Sequence, residues 1–251
     1  MTWLTTANET VSARALAHGA HLAAGGGGDV ARALYLHGRL PFSPRWAARF
    51  PQGRLVEDWL MVGAHARDAW QEVAPAPDND RWRIYRARDA AGGTLPCKLY
   101  LNLHPTVLGD GFARFLDVAT RHRAPVFKVA RDAPNLLRPD KLVIYLADPT
   151  AARALGAALA TTFCDWPVQP LPFTGALDAA GVVSCGVDPP AGVGATLGAS
   201  SWRGWITGML AAAMTRGPAD ATPAERVAEA LRHAAAIGID TRRWVPGVLA
   251  A

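Results

Sequence analysis

Residues 95–104 read LPCKLYLNLH. Polar and apolar side chains alternate there, the period of an extended strand, in which successive side chains point to opposite faces. Leu99, Leu101 and Leu103 share one face, and Lys98, Tyr100, Asn102 and His104 share the other. The polar face reads in two ways. It is a wetted sheet surface, or it is a site. The second reading draws on its composition: four hydrogen-bonding side chains of different chemistry, with no Glu or Ser as filler.

Working outward, more strands follow. WRIYRARD at 82–89 alternates, and AAGG at 90–93 reads as a hairpin turn into 95–104. APVFKVA at 124–130 and KLVIYLAD at 141–148 are further strands, and GDGFARFLDVATRHR at 109–123 and TAARALGAALATTF at 150–163 are helices. Upstream, 8–23 and 29–38 read as helices around Gly25–Gly28. The stretch 54–73 puts Leu55, Trp59, Val62, Ala66 and Trp70 on one helical face. APAPDND at 74–80 marks a boundary. The Pro/Gly-rich 165–198 offers only short strands such as GVVSCGV at 181–187, and 201–214 and 223–238 form a helical tail. The expected fold is α+β: a central mixed or antiparallel sheet flanked by N-terminal and C-terminal helices. Residues 1–75 form an N-terminal helical region and 76–251 an α+β core, packed as one unit.

The 251 residues are half hydrophobic, enough for one sizeable core. No apolar run reaches the roughly 18 residues that span a bilayer, and the start of the chain has no basic segment followed by an apolar one. A cytoplasmic protein with no membrane partner is expected. Cys97, Cys164 and Cys185 are odd in number and lack CxxC spacing, so reduced, mostly buried thiols are expected. A net charge of +5 suits an anionic partner. Arg, Ala and Gly abundance resembles high-GC coding, however, and no dense basic run or basic–aromatic stripe is present, so nucleic acid is not expected. There is no P-loop, no GxGxxG after a strand, no HExxH, no GxSxG and no histidine pair at metal spacing.

Of 26 basic residues only Lys98, Lys128 and Lys141 are lysine. Arginine cannot deprotonate at a usable pH, whereas a desolvated lysine can serve as a base. Lys128 lies between Phe127 and Val129, so burial should lower its pKa and make it a base or the partner of a buried carboxylate. Lys141 reads as a strand-edge residue. Arg131 and Arg138 can each hold phosphate through two N–H groups, with Asp140 close by. Ser201 and Arg203 open a helix after a Gly-rich loop, where free amides make an anion pocket or Ser201 is only a cap. His37 and His104 are the histidines to weigh; the others read as helix surface.

Three motifs, KLYLNL at 98–103, VFKVAR at 126–131 and RPDKLVIYL at 138–146, resemble the HopA-type effector-like family, whose signature is a lysine-bearing YLN strand, an FKV strand and R-x-D before a V-x-Y strand. The likeness covers roughly residues 80–148, with SWR at 201–203. The spacing of Lys98, Lys128 and Arg138 is also similar to OspF/SpvC-type phosphothreonine lyases, except that Tyr100 stands where that family has its histidine. Actinobacterial members of the first family act in class V lanthipeptide and thioamitide biosynthesis. The resemblance implies a lyase that eliminates phosphate from phosphoserine or phosphothreonine in a ribosomal precursor peptide, giving dehydroalanine or dehydrobutyrine after a separate kinase. It implies Lys128 as base, Lys98 as enolate stabiliser and Arg138 as phosphate ligand beside Arg131 or Arg203. Asn102, Ser201 and His37 join the substrate-binding candidates. The general acid stays open among His104, Tyr100, Asp140 and His37, and no metal or organic cofactor is required. Two alternatives stand: a non-catalytic phosphopeptide- or leader-binding subunit of a kinase complex, and a secreted effector.

Overall fold

Seven strands build the main sheet: β1 (Trp70–Val73), β2 (Trp82–Ala87), β3 (Cys97–Leu101), β4 (Val126–Ala130), β5 (Leu142–Leu146), β6 (Gly175–Ala176) and β7 (Val183–Val187). Their order is β1-β2-β4-β5-β3-β7-β6, and every pairing is antiparallel. The structure, a computed structural model, describes residues 6–50, 68–73, 81–189 and 201–246. The helices are α1 (Ala7–Ala24), α2 (Val30–Leu36), α3 (Pro44–Arg49), α4 (Leu108–Arg121), α5 (Ala133–Leu136), α6 (Pro149–Thr162), α7 (Trp202–Arg216) and α8 (Pro223–Ala236). A small hairpin, β8 (Ile239–Asp240) and β9 (Val245–Pro246), follows. The fold is α+β, and its sheet is antiparallel throughout rather than mixed.

Local chemistry starts the helices. Thr6 and Glu9 form a reciprocal capping box at α1, as do Thr222 and Glu225 at α8. Asp148 caps α6, with Pro149 preset for the first turn. One face of the sheet then buries its aliphatic and aromatic set, Leu99, Leu101, Phe127 and Ile144, with Phe112 and Phe115 of α4 and Leu155 of α6. The opposite face meets a second layer made of α1, α2, α7 and α8, whose core is Leu16, Leu34, Trp202, Ile206 and Leu210. The N-terminal helices therefore pack with the C-terminal ones; Asn8 Nδ2 donates to Thr174 Oγ1 at 3.1 Å and the Phe173 amide to Ser12 Oγ at 2.9 Å. Gly186, opposite Lys98, lets α7 approach: a Cβ there would lie 3.1 Å from Trp202 Cδ1.

Two expectations are corrected. Residues 70–73 are strand β1, not the end of a helix; Trp70 packs edge-on to Phe127 with centroids 4.8 Å apart and donates to Thr120 Oγ1. That tertiary contact outweighs the helical spacing. The rest of that stretch and the 74–80 boundary lie outside the described residues. The turn at 90–93 closes no hairpin, because β2 pairs with β1 and β4 while β3 pairs with β5 and β7. Cys97 is buried, but Cys164 is exposed. Among the described residues no helix is long and apolar enough to cross a membrane.

Candidate functional site

Register brings the candidate residues together. Across β4, β5 and β3, Lys128 lies opposite Val143, which lies opposite Tyr100. One step along, Val126, Tyr145 and Lys98 are opposed in the same way. Cross-strand partners point to one side of a sheet, so Lys98, Tyr100, Lys128, Val143 and Tyr145 share a face. Tyr35 of α2 and Ser201 and Arg203 at the start of α7 close over it, leaving a cavity of about 330 Å³ that Asp140 and Asp188 also line. The polar face of β3 is thus not a wetted surface: Lys98 and Tyr100 are buried beneath helices.

Aromatic rings hold the cations. Lys128 Nζ sits 4.4 Å from the Trp82 ring centroid and 5.5 Å from that of Tyr145. Lys98 Nζ is 5.6 Å from the Tyr145 ring, and Arg138 stacks 5.3 Å from Trp82. The three cations the sequence singled out therefore meet on two shared rings, where the ring faces attract positive charge. Burial pushes the Lys128 ammonium down to about 8, with Lys98 and Arg138 adding repulsion and Asp140 and Asp188 opposing it. Lys98 is ion-paired to Asp188.

Asp140 is the electrostatic centre. Its Oδ1 accepts from Arg138 Nε at 2.9 Å, and its Oδ2 accepts from Arg138 Nη2 and Arg203 Nη1, each at 2.9 Å, and from the Tyr35 hydroxyl at 3.0 Å. Burial alone would raise its pKa, but the two guanidiniums hold the carboxyl well below the usual carboxylate range. Arg203 also donates to Pro172 O and Tyr35 O, which fixes its fork. Lys98, Lys128 and Arg203 line the cavity with Asp140 and Asp188, and their N–H groups are the donors a phosphate takes.

Not every expected residue reaches the cavity. Asn102 is fully buried and donates to Gly181 O at 2.8 Å and Ser184 Oγ at 3.1 Å, pinning the end of β3. His104 Nδ1 lies 2.7 Å from Thr106 Oγ1, and its ring lies 6.1 Å from Trp46. His37 lies beside His18, with centroids 5.9 Å apart and the rings tilted by 51°. Arg131 is exposed on the chain beyond β4. None of these four lines the cavity, nor does Arg138, which is turned onto Asp140. Of the four candidate acids, Tyr100 and Asp140 remain. Asp140 is held ionised, whereas burial keeps the Tyr100 phenol protonated far above neutrality. Tyr35, Val143, Tyr145 and Asp188 were not singled out from sequence. Alternation in KLVIYLAD does put Val143 and Tyr145 on one face, but which strand they adjoin is a matter of register that only the fold supplies.

Lys141, expected at a strand edge, is instead fully buried, and its Nζ donates to Leu103 O at 2.9 Å. Burial pushes it down to about 7. Its unfolded value is about 10.4. Between these values the unfolded chain binds a proton that the folded chain does not, so folding stability should rise with pH from 7 upward. Lys128 contributes in the same sense above about 8. Urea titrations at pH 7, 8 and 9 should show this rise, and Lys141→Met should reduce it.

The chain shares its fold with two solved structures. One is an effector protein from Pseudomonas syringae pv. tomato strain DC3000: TM-score 0.58, 12% identity, covering 94% of this chain and 97% of that one. The other is an effector protein from Pseudomonas syringae pv. syringae strain 61: TM-score 0.53, 13% identity, covering 96% and 98%. The type III effector/phosphothreonine lyase OspF from Shigella flexneri aligns over 53% of this chain and 88% of its own with a TM-score of 0.36 and 9% identity, too low to bear on fold or activity. No protein-family model matches the chain, and no curated protein matches it in sequence.

Proposed function

We propose that the chain is a cofactor-independent phosphoserine/phosphothreonine lyase acting on a phosphorylated ribosomal precursor peptide delivered by a separate kinase. The observation that carries this reading is a half-buried lysine, pushed down to about 8 by the desolvation of its ammonium, on one sheet face with Lys98 and Tyr100 and beneath Arg203. A Cα proton is weakly acidic, and a neutral amine near its working pH is a suitable base for it. Lys128 Nζ takes that proton, the Cα–Cβ double bond forms, and the Cβ–O bond to phosphate breaks. Lys98 offsets the charge that develops on the substrate carbonyl oxygen. Arg203 receives the phosphate, and Arg138 acts through Asp140, which positions both guanidiniums. Tyr100 gives its phenolic proton to the leaving oxygen. Unprotonated, that oxygen would leave as a trianion, so even a weak acid assists. The products are a dehydroamino acid and inorganic phosphate.

The test is incubation of a phosphothreonine peptide with the protein, scoring phosphate release together with an added thiol. Elimination yields phosphate and a thiol adduct on the peptide, whereas hydrolysis would yield phosphate with no adduct. Binding without turnover would favour the phosphopeptide-binding alternative. Tyr100→Phe should lower kcat by about 100-fold, the scale of one general acid, while KM changes little. Single-turnover kinetics would read this split.

A further inference from the structure

We propose that Val143 is the specificity-determining residue that reads the substituent on the reacting Cβ, the one position where phosphothreonine and phosphoserine differ. The inference rests on the proposed elimination. Val143 is the cross-strand partner of Lys128 on one side and of Tyr100 on the other. Neighbouring side chains on paired strands start about 4.5–5.5 Å apart. Two long side chains thus rise on either side of a short one, forming a slot with Val143 as its floor. Among the described residues lining the cavity, Val143 is the sole aliphatic side chain. Its neighbours Leu142 and Ile144 point to the opposite, fully packed face, so the floor is held from beneath.

The reaction places its atoms in that slot. The proton leaves Cα for Lys128, and the phosphate oxygen leaves Cβ with the proton of Tyr100. Cα and Cβ therefore span the gap between the two side chains, directly above Val143. Phosphoserine carries hydrogen on Cβ, and phosphothreonine carries a methyl group. The height of the floor sets the room for that methyl. A pocket difference of one methylene changes discrimination by roughly 10–200-fold.

The experiment is internal competition: equal phosphoserine and phosphothreonine versions of one peptide are mixed in a single tube with limiting protein, and both products are followed by mass spectrometry. The product ratio gives the ratio of kcat/KM values whatever fraction of a variant folds. Val143→Leu raises the floor and should shift the ratio toward phosphoserine by about tenfold or more. Val143→Ala lowers it and should shift the ratio toward phosphothreonine by about fourfold, the scale of burying the one carbon by which the two substrates differ. Ratios within twofold of the unmodified protein, or shifts of both variants in one direction, would overturn the proposal. If Val143→Leu does not fold, Val143→Ala decides by the same criterion. An unmodified protein that eliminates neither peptide removes the lyase reading itself, a result distinct from an unchanged ratio.

Discussion

Replacing Lys128 by alanine should abolish elimination, and replacing it by arginine should do the same. Removing a positioned general base costs about 10²–10⁴-fold in rate. Arginine keeps the charge but does not deprotonate at any usable pH, so a base role and a charge role give opposite outcomes for Lys128→Arg. The pH profile of kcat/KM gives an independent reading. The neutral amine is the active form, and the folded lysine is held at about 8 by burial. Activity should therefore fall about tenfold per pH unit below 8 and level off above it. An unperturbed lysine would keep the rate climbing to about 10.4. Lys128→Ala should remain folded, because Lys128 is half-buried, its ring contacts are the faces of Trp82 and Tyr145, and Asp140 and Asp188 keep their own ion pairs to Arg138, Arg203 and Lys98.

Asp140→Asn should have the largest effect on stability. The carboxylate is buried and joins Arg138, Arg203 and Tyr35 through four hydrogen bonds. Breaking a buried ion pair from one side leaves uncompensated charge and costs about 3–5 kcal/mol. For a chain of this size each kcal/mol lowers Tm by about 2–4 °C, so a fall of roughly 10 °C is expected by calorimetry. The sign against pH follows from the depressed pKa. The contribution is fully present above the unfolded value near 3.9 and is lost only as pH falls through the lower folded value, so the loss in Asp140→Asn should be equal at pH 6 and pH 8. Activity should fall with it, since Arg203 loses the anion that aims it.

These effects were unequally legible in the sequence. Alternation in 95–104 correctly paired Lys98 with Tyr100, and apolar flanks correctly marked Lys128 as desolvated, because both are local properties of a strand. The same alternation overreached at its far end. Asn102 and His104 share the parity of Tyr100, yet Asn102 is used to pin Gly181 and the start of β7, and His104 bonds to Thr106. Parity says which face a side chain takes and nothing about how far the cavity extends. Arg138 and Asp140, two residues apart, stand out in the sequence, but the carboxylate's pairing with two guanidiniums, one from 63 residues later, is a tertiary fact. Tyr35 carries no local signal of its role, because nothing in the sequence of α2 marks what it faces. The AAGG turn misled because a tight turn does not require its flanking strands to pair, and here β4 and β5 intervene between β2 and β3.

Loss of phosphate from a phosphorylated side chain, driven by Lys128, is what the site is proposed to achieve. Mass spectrometry of one phosphothreonine peptide, incubated at pH 8 with the unmodified protein and in parallel with Lys128→Ala, tests it most directly. Loss of the mass of phosphoric acid is expected with the first and an unchanged peptide with the second. Equal loss with both, or an intact phosphopeptide with both, would contradict it.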